Sequence, residues 1–228
     1  MYIAGINIPL TTSQAVEVAV SCTTFFSFVL AFKQAGVADR VARTDGGSVQ
    51  ADSEPKSLPG KMVTPVHNVA FMVPIITFPV AVGLNCFRQP GWMLQWALPN
   101  NIDGCAKAAV RLAACGMFLG VWQLVGWTLE HLGSQFHCIA RREKSQIVSS
   151  GPYAVVRHPL YGFLLVQHAL CSVMFWSYVP LAGLLISAVA FSVKMPIEEK
   201  IMVEDPAIGA EYMDYQDKVT SRIIPYIW

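Results

Sequence analysis

Charge is what this sequence has least of. Asp, Glu, Lys and Arg fill only 14% of its 228 positions, while 54% are hydrophobic; a soluble domain is charged at about a quarter of its positions. That excludes an ordinary water-soluble globule and points to a bilayer as the solvent. The formal net charge of +1 leaves no electrostatic footprint for nucleic acid, and no nucleic-acid partner is expected. No Lys or Arg precedes Lys33, so the basic region of a cleaved signal is missing and the first apolar stretch is expected to be a retained span. The six cysteines (Cys22, Cys86, Cys105, Cys115, Cys138, Cys171) form no C-x-x-C pair. No histidines stand at zinc spacing, so neither a metal site nor a disulfide framework is expected. The cysteines read as small hydrophobes buried in the membrane. Also lacking are the G-x-S-x-G, Walker and dinucleotide fingerprints, a Gly-rich loop after a strand, internal repeats and low-complexity tracts.

What is present is a series of apolar runs of membrane-crossing length. They fall near 14–32, 65–87, 106–132, 160–176 and 179–193. Glu17 and His67 lie near the ends of their runs and are expected to reach the headgroup region; Pro74 and Pro79 should kink the second run. The last two runs are separated only by Ser177 and Tyr178 before Pro180, which predicts an antiparallel helical hairpin. Residues 33–64 carry DGGS, Pro55, Pro59 and mixed charge and read as a polar, flexible loop. Of the sixteen Lys and Arg, only Arg88, Lys107 and Arg111 fall on one side of an alternating five-span arrangement. The positive-inside rule then puts the N-terminus outside or in the lumen and the C-terminus in the cytoplasm. The fold class expected is an all-α integral membrane protein of about five transmembrane helices. Residues 1–132 would form a membrane region of three helices, and residues 133–228 a region carrying chemistry at the cytosolic face.

Three polar elements converge on that face: the loop before the hairpin, the first turn of its first helix, and the tail after its second. A short hairpin brings its ends together, so Arg157 and His158 should lie near Glu198 and Glu199, forty residues away in sequence. Ionisable residues gathered at such a mouth are a functional site by default. Gly151-Pro152 signals a turn, and Pro159 can open a helix, where its missing donor costs nothing. Its ring also holds His158 extended, outside the helix. Gly162 would admit close approach of a ligand or of a neighbouring helix. One ligand suited to this set is zwitterionic, partly aromatic and bears a sulfonium. Glu198 or Glu199 would take its hydroxyls and ammonium, Arg157 its carboxylate, the Ile147-Val148 backbone its base, and Tyr153 with Tyr161 its sulfonium. A phosphorylated lipid would equally favour Arg157, His158 and Lys194.

The succession LGSQF, EK at 143, IVSSGPYAVVRHPLYG from 147, PIEEK at 196 and GAEYMDYQDKVTSRIIPYIW at the end resembles the isoprenylcysteine carboxyl methyltransferase family. The resemblance covers the last hundred residues or so; the first hundred match only in being spans. It implies a membrane methyltransferase using S-adenosyl-L-methionine. Carried over by position, the cofactor contacts would be Ile147, Val148, Gly151, Tyr153, His158, Pro159, Tyr161 and Glu199, with Arg157 and Glu198 as catalytic residues and no metal. The implied partners are a prenylated protein or prenylcysteine and the membrane lipid, and in a eukaryote the implied location is the endoplasmic reticulum. A methyltransferase acting on a phospholipid amine, and a membrane scaffold without activity, are the competing readings. One departure stands out: relatives often carry an Arg ahead of the glutamate pair, and counting back reaches Val189, so Lys194 or Arg157 would have to orient the acceptor carboxylate. Phe163, Leu164, Phe175 and Trp176 are candidates to line the path of a lipid tail, and Gly116 with Gly120 form a G-x-x-x-G.

Overall fold

Long apolar segments in a bilayer must satisfy their backbone groups internally, and here they do so as helices. A computed structural model of the chain describes residues 2–3, 6–7, 10–50, 53–137 and 139–227. Apart from a minimal antiparallel pair, β1 (Tyr2–Ile3) and β2 (Ile6–Asn7), the protein is all-α. Its α-helices are α1 (Thr12–Asp45), α2 (Leu58–Leu84), the single turn α3 (Gly91–Leu94), α4 (Gly104–Leu132), α5 (Pro159–Phe175), α6 (Val179–Val203) and α7 (Gly209–Lys218). Among the described residues α1, α2, α4 and α6 are long and apolar enough to cross a membrane, and α5 is a shorter apolar helix. The chain is an integral membrane protein, and the apolar runs read from the sequence fall on α1, α2, α4, α5 and α6.

The helix starts are set by local chemistry. Thr11 caps α1 in a capping box with Gln14, Ser57 accepts from the Gly60 N–H ahead of α2, and Asp103 accepts from the N–H groups of Cys105 and Ala106. The five apolar helices close a ring in the order α1, α2, α6, α5, α4. Phe118, Met174, Phe175, Val20 and Val82 lie in the main core between them. α2 runs unbroken through Pro65, Pro74 and Pro79. The α5–α6 link is Trp176 to Tyr178, pinned where Tyr178 N–H donates to Trp96 (2.8 Å) and Leu98 N–H to Trp176 (3.0 Å). The mouth of the hairpin, with the ends of α1 and α4 and the start of α2, forms one end of the bundle.

Several expectations need correction. The polar stretch 33–64 is not a continuous loop, because α1 continues to Asp45 and α2 begins at Leu58. Lys33 to Asp45 is rich in good helix formers, and the loss of hydropathy there marks where the helix leaves the apolar zone, not where it ends. Glu17 does not reach for a headgroup. It is buried, and Arg111 of α4 holds it bidentately at 2.7 and 2.9 Å. Gln89 donates to the same carboxylate (3.1 Å), and the Arg111 Nε–H donates to the Met174 carbonyl (2.7 Å). His67 is buried too, with its ring 4.9 Å from that of Phe191. Phe175 and Trp176 sit at the opposite end from the polar cluster, Phe175 stacked on Phe78 at 4.0 Å, and so line no path to it. Of the cysteines, Cys115 and Cys171 are buried, whereas Cys22, Cys86 and Cys105 are exposed on the bundle surface; Cys138 lies outside the described residues. A Cβ at Gly116 or Gly120 would meet nothing, so that motif packs no helix within the chain.

Candidate active site

The site grows from the way α5 begins. Pro159 opens the helix and His158 precedes it at φ −126°, ψ 59°, outside helical geometry as the proline ring requires. Arg157 and His158 therefore offer their N–H groups outward, and the C-terminal segment takes them. Arg157 N–H donates to Ser221 (3.0 Å) and His158 N–H to Arg222 (2.8 Å). Ile223 packs beside Phe191 and Met195 and against Gly162, where a Cβ would stand 3.0 Å from the Ile223 side chain. Close approach at Gly162 thus serves the C-terminal segment.

Glu199, on α6, is the centre of the cluster. It accepts from Arg157 Nε (2.9 Å), pairs with His158 Nε2 (3.2 Å), and accepts from Arg222 through Nη2 (2.7 Å) and Nε (3.1 Å). Arg157 is fixed at its other end too, donating to the Val219 (2.6 Å) and Thr220 (2.8 Å) carbonyls. Glu198 accepts from the Tyr161 hydroxyl at 2.6 and 2.8 Å, with His158 Nδ1 3.6 Å and Lys194 Nζ 3.8 Å away. The rings of His158, Tyr161 and Phe191 stack almost parallel, at 5.5 Å and 4.4 Å between centroids. The Lys194 ammonium lies 5.0 Å over the Tyr161 ring. Charges so far from water survive because each has a counter-charge or donor in contact.

The loop before α5 makes a second wall. Gly151 opens a 3-10 turn, Gly151–Ala154, at φ +58°, and a side chain there would run into the His131 imidazole. Tyr153 is buried, and its carbonyl accepts from the Tyr215 hydroxyl (2.7 Å). Burial, with Tyr215 and Glu198 nearby, pushes the Tyr153 hydroxyl well above its ordinary range, so it stays protonated. Ile147 packs with Tyr212, Tyr215 and Val219. Beyond α6, Arg141 is paired with Asp205. Burial alone would raise the Asp205 carboxyl, but the Arg141 hydrogen bond and the N–H groups of Ala207 and Ile208 outweigh it and hold the carboxyl below its ordinary value.

Arg157, His158, Tyr161, Glu198 and Glu199 are joined in one network of contacts, with Pro159 setting the angle. Ile147 and Tyr153 lie on the neighbouring wall against α7, and Val148 and Gly151 belong to the loop that carries it. Val189 points outward, into an apolar groove between α2 and α6 lined also by Met62, Val66 and Val193; Lys194, not Val189, is the α6 cation facing the cluster. A cavity of about 930 Å³ lies between α1, α2 and residues 136–142, and none of the expected residues lines it. The cluster itself is closed by its own ion pairs. Sequence reasoning missed Arg222 and the tyrosine pair Tyr212 and Tyr215. All three lie in the terminal GAEYMDYQDKVTSRIIPYIW block, but neither spacing nor periodicity marks them as reaching back to the hairpin.

The donor set suits S-adenosylmethionine in kind. It offers two adjacent carboxylates for hydroxyls and an ammonium, and arginine and lysine for a carboxylate. The backbone groups of Ile147 and Val148 form no hydrogen bond among the described residues, leaving them open to a base. Residues 113–204, from within α4 to the end of α6, match the model of the isoprenylcysteine carboxyl methyltransferase family. No individual curated protein matches the chain.

Proposed function

We propose, from the family match over residues 113–204, that this protein is a membrane methyltransferase of that family and methylates the α-carboxylate of a C-terminal prenylated cysteine at the cytosolic face of the membrane. In this reading five helices span the bilayer, the N-terminus lies outside or in the lumen, and in a eukaryote the membrane is that of the endoplasmic reticulum. The observation that carries it is the meeting of Arg157, His158 and Tyr161 with Lys194, Glu198 and Glu199 across the hairpin mouth.

When bound, S-adenosylmethionine supplies an electrophilic methyl group on its sulfonium. The residues of this chain supply placement. Glu199 and Glu198 would bind the hydroxyls and ammonium of the cofactor. Ile147 and Val148 would present backbone to its base, and Tyr153, His158 and Tyr161 would wall the sulfonium end with aromatic surface, Gly151 shaping the turn that carries this wall. Arg157 is a positioning residue, because Glu199 and two carbonyls already occupy its guanidinium. Lys194 is the cation left to orient the acceptor carboxylate, since its contact with Glu198 is long, at 3.8 Å. The acceptor carboxylate is already ionised at neutral pH, so no general base would be required of this chain for it to receive the methyl group. Orientation at near-attack distance is worth about 7–11 kcal/mol in such reactions. A buried lysine also disfavours a phospholipid amine, which would arrive cationic.

The test is an acceptor screen in lipid nanodiscs with labelled S-adenosylmethionine, offering farnesylcysteine analogues and phosphatidylethanolamine. Label on the farnesylcysteine carboxylate is expected. Transfer to phosphatidylethanolamine alone would overturn the acceptor, and failure to bind S-adenosylhomocysteine would point to a scaffold.

A further inference from the structure

Glu199 has more donors than it can keep once a ligand arrives. A carboxylate offers about four lone-pair positions, and Arg157, His158 and the two nitrogens of Arg222 occupy them. For Glu199 to take hydroxyls or an ammonium, one of these donors has to leave. Arg157 cannot, because it is buried and tied to the carbonyls of Val219 and Thr220. His158 is held by its backbone N–H and by the ring of Tyr161 stacked on it. Arg222 is different: its side chain is 32% exposed, and Glu199 is its side-chain partner. Its main chain is nevertheless fixed, through the carbonyl bonded to His158 N–H and the neighbouring Ile223, packed beside Phe191. The guanidinium can therefore swing only by side-chain rotation, within the site.

We propose that Arg222 is an exchangeable partner of Glu199, which on cofactor binding moves to the α-carboxylate of the cofactor and so reads its amino-acid end. The inference rests on the cofactor reading above. It exchanges one carboxylate for another, so the guanidinium keeps a charge-assisted, bidentate partner throughout. Lys194, 3.8 Å from Glu198, remains on the other glutamate and free of this exchange.

The experiment compares two probes by calorimetric titration of the full chain in nanodiscs. S-adenosylhomocysteine has the amino-acid end, and 5′-methylthioadenosine lacks it. Arg222→Ala is expected to weaken S-adenosylhomocysteine at least tenfold while 5′-methylthioadenosine binds as well as before or better, because Glu199 is released. Arg222→Lys, which keeps the charge without the fork, should recover part of the loss. An equal change for both probes in a variant with unaltered melting, or unchanged S-adenosylhomocysteine affinity, would overturn the assignment. Should Arg222→Ala not fold, the affinity ratio of the two probes in Arg222→Lys decides in the same way: a ratio unchanged from wild type overturns it. Binding of neither probe to the wild-type protein would instead bring down the cofactor reading on which this one stands.

Discussion

At the residue scale the cluster divides into groups that hold one another and groups left to hold ligands. In the proposed reading Glu199 and His158 contact the cofactor, so Glu199→Gln and His158→Ala should each weaken S-adenosylhomocysteine by tenfold or more in calorimetry without loss of fold; unchanged affinity in both would refute the site. Lys194→Met should leave that affinity within about twofold and raise the KM for a farnesylcysteine acceptor, because the ammonium is assigned to the acceptor alone. Asp205 gives a pH prediction. Its carboxyl is held below the ordinary 3.8, so the Arg141 pair adds stability above that pH and loses it as pH falls through the lower, folded-state value. Asp205→Asn should lower the melting temperature at pH 7 and flatten the acid side of a melting-temperature profile, where the wild type falls.

At the element scale the buried pair between Glu17 of α1 and Arg111 of α4 sets a sharp expectation. Arg111→Met alone strands a buried carboxylate and should cost about 3–5 kcal/mol, whereas Glu17→Leu together with Arg111→Met should recover most of it in detergent melts. Recovery of none would mean the pair itself, not the stranded charge, supports the fold. Gly183 makes a similar point for α6 on α2, since a Cβ there would stand 2.7 Å from the Ala70 carbonyl oxygen; Gly183→Val should cost about 1–3 kcal/mol by overpacking. The hairpin was legible because only two residues separate its apolar runs, and from it followed the meeting of RHP with the glutamates. The overhang of α1 was not, because hydropathy reports the solvent a helix crosses and not where its hydrogen bonds stop. Glu17 and Arg111 were illegible as a pair for a different reason: each charge lies near the end of an apolar run, and their contact depends on which faces the two helices turn to each other.

For the whole molecule, the partition of Lys and Arg is the basis of the proposed orientation, and single cysteines can test it. In a background lacking other cysteines, Cys105 beside the start of α4 should react with an impermeant maleimide from outside intact cells or from the lumen of sealed vesicles. Lys218→Cys in α7 should react only from the cytosolic side, and the reverse pattern would invert the protein in the membrane. The tryptophans are distributed unevenly between the same two ends. Trp92 and Trp96 are exposed near α3 and Trp176 closes the hairpin turn, all away from the cluster. Trp127 sits edge-on to His131 at 5.0 Å, and His131 is the ring against which Gly151 turns. Among the described tryptophans Trp127 is the one in ring contact with His131 and through it with the Gly151 turn: on the proposed reading its emission should shift when S-adenosylhomocysteine binds, and Trp127→Phe should remove that part of the fluorescence response.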